Sequence, residues 1–226
     1  MRRMPDPRYA AVLFDIDGTL VDSNYLHVDA WARALEEVGH PVPAWRIHRA
    51  IGMDSAKLLE ILLGDDLDRL GDEAKERHST HYQREAERLR SFDRAQELLR
   101  ELAGRGVKVV LATSAPQEEF EVLQKVLRVD DAIAEYTTAE DVSTAKPAPD
   151  VVQMALKKAG VGPEQALMVG DAAWDMQAAK KAGVAGIGVR TGGIGPGELE
   201  DAGAIAVYDD VAQLLSELDA SPLYRG

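Results

Sequence analysis

Two acidic side chains follow a short apolar segment near the N-terminus. The segment YAAVLF occupies residues 9–14, and Asp15 and Asp17 come next, with Gly18 after them. Two carboxylates two residues apart point the same way from an extended chain. One can then act as a nucleophile while the other transfers a proton. Asp and Gly are also common in a simple turn after a strand, so the pair alone leaves that alternative open.

A second acidic pair follows the apolar segment ALMV at residues 166–169. Gly170 precedes Asp171, and Asp175 comes four residues later, so the two carboxylates share one face if a helix begins here. Hard oxygen ligands suit Mg²⁺, which takes few protein ligands and keeps several waters. Acidic residues also favour the first turn of any helix through its dipole, and at this point both interpretations stand.

A hydroxyl pair and a lysine complete the set of polar residues with chemical potential. Thr113 ends the run VVLAT and is followed by Ser114, while Lys146 precedes Pro147 in AKPAPD. A hydroxyl can orient a phosphoryl oxygen, and an ammonium can neutralise a phosphoryl group or an aspartate. Taken singly, a helix-capping hydroxyl and a solvated surface lysine are the more ordinary interpretations.

The elements that position these residues follow from the alternation of patterns after residue 91. Apolar runs alternate with helical segments, which predicts an α/β fold, a doubly wound parallel sheet with a Rossmann-like core. The predicted later strands are VKVVLAT, AIAEYTT, ALMVG, VAGIGVR and AIAVYD. Ligands bind at the carboxyl ends of strands in such sheets, so the four groups of polar residues are expected to converge.

The segment 23–90 has no strand pattern and shows helical periodicity instead. We predict one amphipathic helix that begins near Asn24 and ends at Gly39. A second helix has Asp54 as its N-cap and Gly64 as its stop, and a long polar helix begins at Gly71. The sequence therefore predicts a helical cap domain at 23–90, inserted into a core formed by 1–22 and 91–226.

Two other sets of residues are assigned structural roles. The glycine-rich segment 192–197 lacks the spacing of a dinucleotide-binding fingerprint, and we predict a loop there. The three tryptophans are expected to be packing residues; they are Trp31, Trp45 and Trp174.

The composition narrows the possible partners and the compartment. The chain has 226 residues and a formal net charge of -13. Such a surface repels nucleic-acid phosphates and anionic membranes, so we expect neither as a partner. There is no cysteine, and the N-terminal MRRMPDPRYA lacks the apolar stretch of a signal peptide. These features predict a cytoplasmic location. They also mean that an anionic substrate needs a locally positive site.

Taken together and in order, these motifs resemble those of the haloacid dehalogenase superfamily over essentially the whole chain. DIDGT at 15–19 resembles the nucleophile motif, and GDAAWD at 170–175 resembles the acidic motif. Thr113 and Lys146 match the hydroxyl and lysine motifs. The helical insertion after the first motif resembles the cap of the first subfamily.

The resemblance implies roles for the acidic residues. Asp15 would be the nucleophile, and Asp17 would be the general acid and base. Mg²⁺ would be the cofactor, held by Asp15, the backbone carbonyl of Asp17 and Asp171, with Asp175 as a ligand directly or through water.

The resemblance also implies which residues contact the substrate. Thr113, Ser114 and Lys146 would hold the phosphoryl group, and His27 on the first cap helix would face the substrate. A helix-surface role for His27 is an equally simple alternative. The expected partner is a small phosphorylated metabolite, and the expected assembly is a monomer or a homodimer.

Three functions fit the resemblance: a phosphatase, a sugar-phosphate mutase resembling β-phosphoglucomutase, and a binding module without catalysis. The intact motifs argue against a binding module, and the second aspartate argues against a dehalogenase. His27 favours a mutase, but the superfamily's mutases carry a cationic clamp in the cap. Here residues 51–55 have no Lys or Arg, and His78 stands where those mutases have a Lys four residues before Tyr82. Arg46, Arg49 and Lys57 are other candidates for a clamp. We therefore predict a phosphatase.

Overall fold

A computed structural model of the chain describes residues 7–142, 144 and 146–224. The first six residues, part of the stretch in which we expected no signal peptide, lie outside this range. The chain divides into two compact units. One consists of residues 1–22 and 90–226, and the other of Ser23–Leu89. The second boundary lies one residue before the position expected from the sequence.

The smaller unit, the cap, is helical throughout its regular structure. Its α-helices are α1 (Asn24–Glu37), α2 (Ala44–Ala50), α3 (Ser55–Leu63) and α4 (Leu67–Arg84). The Asp54 side chain accepts the Lys57 N–H at 2.7 Å, and Gly64 ends α3 at a positive φ of 55°. Both ends of α3 are therefore where the sequence predicts them.

Two features of the cap differ from the prediction. Helix α4 begins at Leu67 rather than Gly71, because a 3₁₀ turn at Gly64–Asp66 leads directly into it. Helix α2 was not predicted, since only Ile47 and Ala50 of its seven residues are buried and two positions show no periodicity. The cap core is apolar and centres on Trp31, Leu35, Ile47, Leu58 and Leu62.

The larger unit, the core, has the predicted α/β architecture. Its strands are β1 (Ala11–Phe14), β2 (Lys108–Ala112), β3 (Ile133–Thr137), β4 (Ala166–Gly170), β5 (Ala185–Val189) and β6 (Ala204–Tyr208). Its α-helices are α5 (Ala95–Gly104), α6 (Gln117–Leu127), α7 (Asp150–Ala159), α8 (Ala173–Lys181), α9 (Pro196–Ala202) and α10 (Val211–Ser216). Each of the six strands was predicted. The four inner strands β2, β1, β4 and β5 are mostly buried and read as continuous apolar runs, whereas the edge strands β3 and β6 are more exposed.

The six strands form one parallel sheet in the order β3-β2-β1-β4-β5-β6. Strand β1 is central, with Phe14 opposite Leu111 of β2 and Val169 of β4. Alternate residues of β1 serve opposite faces, and Ala11 and Leu13 pack with residues of α7 and α8. The carboxyl ends of β2, β1 and β4 thus lie side by side, which confirms the predicted doubly wound α/β fold with a helical insertion.

Two smaller expectations were wrong. The segment 192–197 is not all loop, because α9 starts at Pro196, where the fixed φ of proline suits a first helical position. Trp45 is not a packing residue, since 68% of its surface is exposed, whereas Trp31 is buried and Trp174 is half-buried. Among the described residues, no helix has both the length and the apolar character needed to cross a membrane.

Candidate active site

The central strand delivers Asp15 to the carboxyl edge of the sheet. Strand β1 ends at Phe14, and the Asp15 N–H donates to the Val169 carbonyl at 3.0 Å, which ties the residue to β4. The chain then turns at Gly18, whose φ of 77° lies in the region that favours glycine. Asp15 is buried, and Asp17 is half-buried in the same turn.

Strand β4 and helix α8 deliver the second acidic pair. Asp171 follows Gly170, and Asp175 lies in the first turn of α8, where one carboxylate oxygen accepts the Ala172 N–H at 3.0 Å. A Cβ built on Gly170 would lie 2.6 Å from the Cβ of Asp175. The glycine before Asp171 is therefore required for Asp175 to pack against the strand end.

Three carboxylates converge at this edge. Ligand oxygens of Asp15, Asp171 and Asp175 all lie within 4.8 Å of one another, and all three residues are buried. Among the described residues, no other group of three or more acidic or histidine side chains comes together in this way. These residues are 160 positions apart at most in the chain, and the sheet order brings them together.

Lys146 supplies the positive charge of the cluster. Its ammonium donates to Asp15 Oδ1 and forms an ion pair with Asp175 Oδ1 at 2.7 Å. The side chain is only 3% exposed. Burial disfavours its charge, but the adjacent Asp15 and Asp175 outweigh burial and raise the pKa of Lys146 above its ordinary range. Lys146 therefore remains protonated and cannot be the solvated surface lysine considered as an alternative.

The surroundings of Asp15 shift the pKa of its carboxyl in opposite directions. Burial raises the pKa of the Asp15 carboxyl well above its ordinary value, and the Lys146 ammonium lowers it. The charges of Asp175, Asp171 and Asp17 raise it further. An additional cation beside Asp15 would favour its ionised form.

The donor set fits a divalent cation. When all three buried carboxylates are ionised, one ammonium leaves two of their negative charges uncompensated, and buried charges require partners. A divalent cation matches that deficit, and carboxylate oxygens are the ligands that Mg²⁺ prefers. The buried acidic cluster can therefore hold a metal ion.

Thr19 is part of the cluster and was not among the residues predicted for the site. Its hydroxyl donates to Asp171 Oδ1 at 2.8 Å and lies 3.4 Å from Asp15 Oδ2. It thus links the two acidic motifs from a fully buried position. The signal was present in the sequence, because Thr19 closes the DIDGT segment. A second unpredicted hydroxyl, that of Thr191, donates to the Gly18 carbonyl and supports the same turn.

The predicted hydroxyl pair lies at the end of the neighbouring strand. Thr113 directly follows β2 and is buried; its oxygen accepts the Ala115 N–H at 3.0 Å, and its carbonyl accepts the Thr137 hydroxyl at 2.9 Å. These two bonds therefore fix the position of Thr113. In both of them Thr113 is the acceptor, so neither uses the proton of its own hydroxyl. Ser114 is half-buried.

The predicted cap residue, His27, lies on α1. Its Nδ1 is 3.1 Å from Nε2 of His78 on α4, and its ring stacks on that of Tyr82 with centroids 3.8 Å apart. His27 is half-buried and contacts two side chains of α4.

Comparison with known proteins identifies the family. The family model described as haloacid dehalogenase-like hydrolase matches residues 9–183. A phosphoglycolate phosphatase from Rhodospirillum rubrum is 32% identical over 90% of this chain and 88% of its own length. The crystal structure of a hydrolase from Pseudomonas syringae is 38% identical, has a TM-score of 0.89, and covers 93% of this chain and 98% of its own.

A third similarity shows the fold alone. A β-phosphoglucomutase from Clostridium difficile superposes with a TM-score of 0.80 at 20% identity, covering 94% of this chain and 97% of its own. The motifs found at the strand ends, the sheet order and the family match agree with one another. This chain belongs to the haloacid dehalogenase-like hydrolases.

Proposed function

We propose that this chain is a phosphatase that hydrolyses a small phosphate monoester through an aspartyl-phosphate on Asp15. The observation that carries the proposal is the buried cluster of Asp15, Asp171 and Asp175 around Lys146 at the carboxyl edge of the sheet. This cluster provides a nucleophile, a cation and a set of oxygen ligands at one place. The similarity to a phosphoglycolate phosphatase supports the same class of reaction.

Mg²⁺ is the proposed cofactor. Asp15, Asp171 and the Asp17 carbonyl would hold it, with Asp175 directly or through water. When bound, it would neutralise charge on the phosphoryl oxygens, which otherwise repel an incoming carboxylate. Asp175 is the weaker ligand, since Lys146 and the Ala172 N–H already contact its two oxygens.

In the first step an Asp15 carboxylate oxygen attacks phosphorus, and the bond between phosphorus and the ester oxygen breaks. Asp17 gives its proton to the departing oxygen, so that a neutral alcohol leaves. Lys146 favours the ionised form of Asp15 and holds its carboxylate in position. Thr113, with its oxygen anchored to the Ala115 N–H, and the adjacent Ser114 would orient the transferring group.

In the second step water attacks the phosphorus of the aspartyl-phosphate. Asp17, now ionised, takes a proton from that water, and the bond between phosphorus and the Asp15 oxygen breaks. Inorganic phosphate leaves, and both carboxyl groups return to their starting states. His27 is proposed to contact the substrate from the cap.

Hydrolysis of a generic aryl phosphate tests this proposal. We expect release of inorganic phosphate with Mg²⁺ and none with a chelator. Asp15→Asn, which is nearly isosteric, should abolish turnover without loss of fold. Asp141→Asn is the matched control. Asp141 belongs to the core but not to the cluster, and its carboxylate forms an ion pair with Lys158 at 2.7 Å. Mg²⁺-dependent turnover by Asp15→Asn would falsify the nucleophile assignment.

The mutase is the second candidate, and two features of the cap favour the phosphatase over it. A mutase holds a second phosphate with a cationic clamp, for which a bidentate arginine is well suited. His78 stands in the position of the mutases' lysine, but burial lowers its pKa to about 2, so it carries no charge at neutral pH. Lys57 is exposed and paired with Glu60 at 2.7 Å.

Incubation with β-glucose 1-phosphate and a bisphosphate primer separates the two candidates. We expect release of inorganic phosphate that does not depend on the primer. Formation of glucose 6-phosphate faster than phosphate release would identify a mutase. We further propose a cytoplasmic protein that acts as a monomer or homodimer on a small phosphorylated metabolite.

A further inference from the structure

Two imidazole rings meet inside the cap. His27 on α1 and His78 on α4 contact each other through Nδ1 and Nε2, respectively, at 3.1 Å. The His78 ring stacks on Trp31 with centroids 3.9 Å apart, and the His27 ring stacks on Tyr82 at 3.8 Å. His78 is 6% exposed, whereas His27 is half-buried. An apolar side chain would fill the position of His78 without a polar group to satisfy, so the imidazole needs another explanation.

The surroundings keep His78 neutral. Burial lowers the pKa of His78 to about 2, and the nearby His27 and His81 add to this effect. Charged side chains of α1 and α4 in this region form ion pairs with one another. Glu37 pairs with Arg77 at 2.7 Å and with His81 at 3.0 Å, and Arg77 also pairs with Glu73.

The direction of the hydrogen bond follows from the possible protonation states. Between two rings, one nitrogen must donate and the other must accept. If His27 carries two protons, its Nδ1 can only donate, and the neutral His78 must accept. If the bond keeps this direction when His27 carries only one proton, neither ring has to flip and no proton has to move between the two rings.

We propose that His78 is a positioning residue whose Nε2 accepts a hydrogen bond from Nδ1–H of His27. His27 then uses Nε2, and not Nδ1, for its contact with a substrate oxygen. This role rests on the proposed function, in which His27 contacts the substrate, but the hydrogen bond itself belongs to the cap alone.

Nitrogen-15 NMR of the histidine rings tests the hydrogen bond directly. In full-length protein, well above the ordinary imidazole pKa of about 6.5, we expect Nδ1 of His27 to carry a proton and Nε2 of His78 to carry none. A bare Nδ1 on His27 would overturn the proposal, whatever the enzyme hydrolyses.

Substitutions at His78 connect this bond to turnover. His78→Phe keeps a flat ring beside Trp31 but removes the acceptor, so His27 should lose its fixed tautomer and kcat/KM should fall by about three- to tenfold. His78→Gln offers an amide oxygen as acceptor and should restore both. His81→Phe is the matched control, because His81 also lies on α4 but contacts Glu37.

The outcomes separate this inference from the proposed function. A lost tautomer with unchanged kcat/KM in His78→Phe would show that the bond has no role in turnover. Equal losses in His78→Phe and His78→Gln, with equally lowered melting temperatures, would make His78 a packing residue only. Absence of any phosphatase activity in the wild type would overturn the proposed function and leave the NMR result standing.

Discussion

Replacing Lys146 with methionine tests the charge balance of the site. Lys146 is the ammonium that contacts both Asp15 and Asp175 in the buried cluster. Methionine keeps the length and the apolar stem of the side chain but removes its charge. Without metal, the cluster would then hold three carboxylates and no cation among these four side chains.

The expected loss is large relative to the stability of a domain. Removing one partner from a buried ion pair costs about 3–5 kcal/mol, against a total of about 5–15 kcal/mol for a native protein. The carboxylates can relieve part of this cost by taking up protons. The folded variant then binds more protons than the unfolded chain, so its deficit should shrink as the pH falls.

Urea unfolding in chelator measures the effect, with Lys158→Met as the matched control. Lys158 forms an equally short ion pair with Asp141, at 2.7 Å, but both side chains are about a quarter exposed. An exposed pair contributes about 0–1 kcal/mol. Saturating Mg²⁺ should recover part of the loss in Lys146→Met. If the two variants are destabilised equally, the cluster does not depend on Lys146 for its charge balance.

Further predictions concern Asp171, Thr19 and His78. Asp175→Asn should lower Mg²⁺ affinity about 10- to 100-fold, as expected for an outer partner, and Asp171→Asn should lower it more. Calorimetry measures both affinities, and equal losses would contradict the assignment of ligands. Thr19→Val removes the donor to Asp171 and should cost about 1–3 kcal/mol of unfolding free energy, whereas Thr80→Val, at an exposed helix position, should cost almost nothing. The folded pKa of His78 is about 2, so stability present above pH 6.5 is lost as the unfolded chain protonates below it, at up to about 1.4 kcal/mol per pH unit. Between about pH 7 and about pH 5, the unfolding free energy of wild type should therefore fall by up to about 2 kcal/mol more than that of His78→Phe. Urea titrations measure this difference, and parallel pH profiles of the two proteins would refute it.

The sequence was sufficient for the sheet but not for every helix. The four inner parallel strands are mostly buried and leave continuous apolar runs; the edge strands β3 and β6 were also predicted, although they are more exposed. Helix α2 was not predicted, because its short segment AWRIHRA has too few buried positions to show the apolar periodicity of a helix. Trp45 was misjudged because residue type favours burial on average, whereas the actual burial depends on where the helix packs.

The convergence of Asp15, Asp171, Asp175 and Lys146 was predictable from the sequence, but their contacts were not. Polar residues after strand ends point to a common edge of the sheet, so their types and order suffice to select them. The bond between Thr19 and Asp171 joins residues 152 positions apart, and that between Lys146 and Asp15 joins residues 131 apart. Such pairings depend on strand order and rotamers, which no local pattern specifies.

The charges of the cluster also suggest why metal and substrate belong together in the proposed reaction. Without metal, three carboxylates and one ammonium present a net negative site, in a chain that already carries a net charge of -13. A phosphate dianion is repelled by both. A bound divalent cation would cancel the two excess charges and, together with Lys146, would bring the cluster to neutrality, so that a phosphate dianion would no longer meet a net negative site. The same burial that makes uncompensated charges costly would give these interactions their strength once the charges balance.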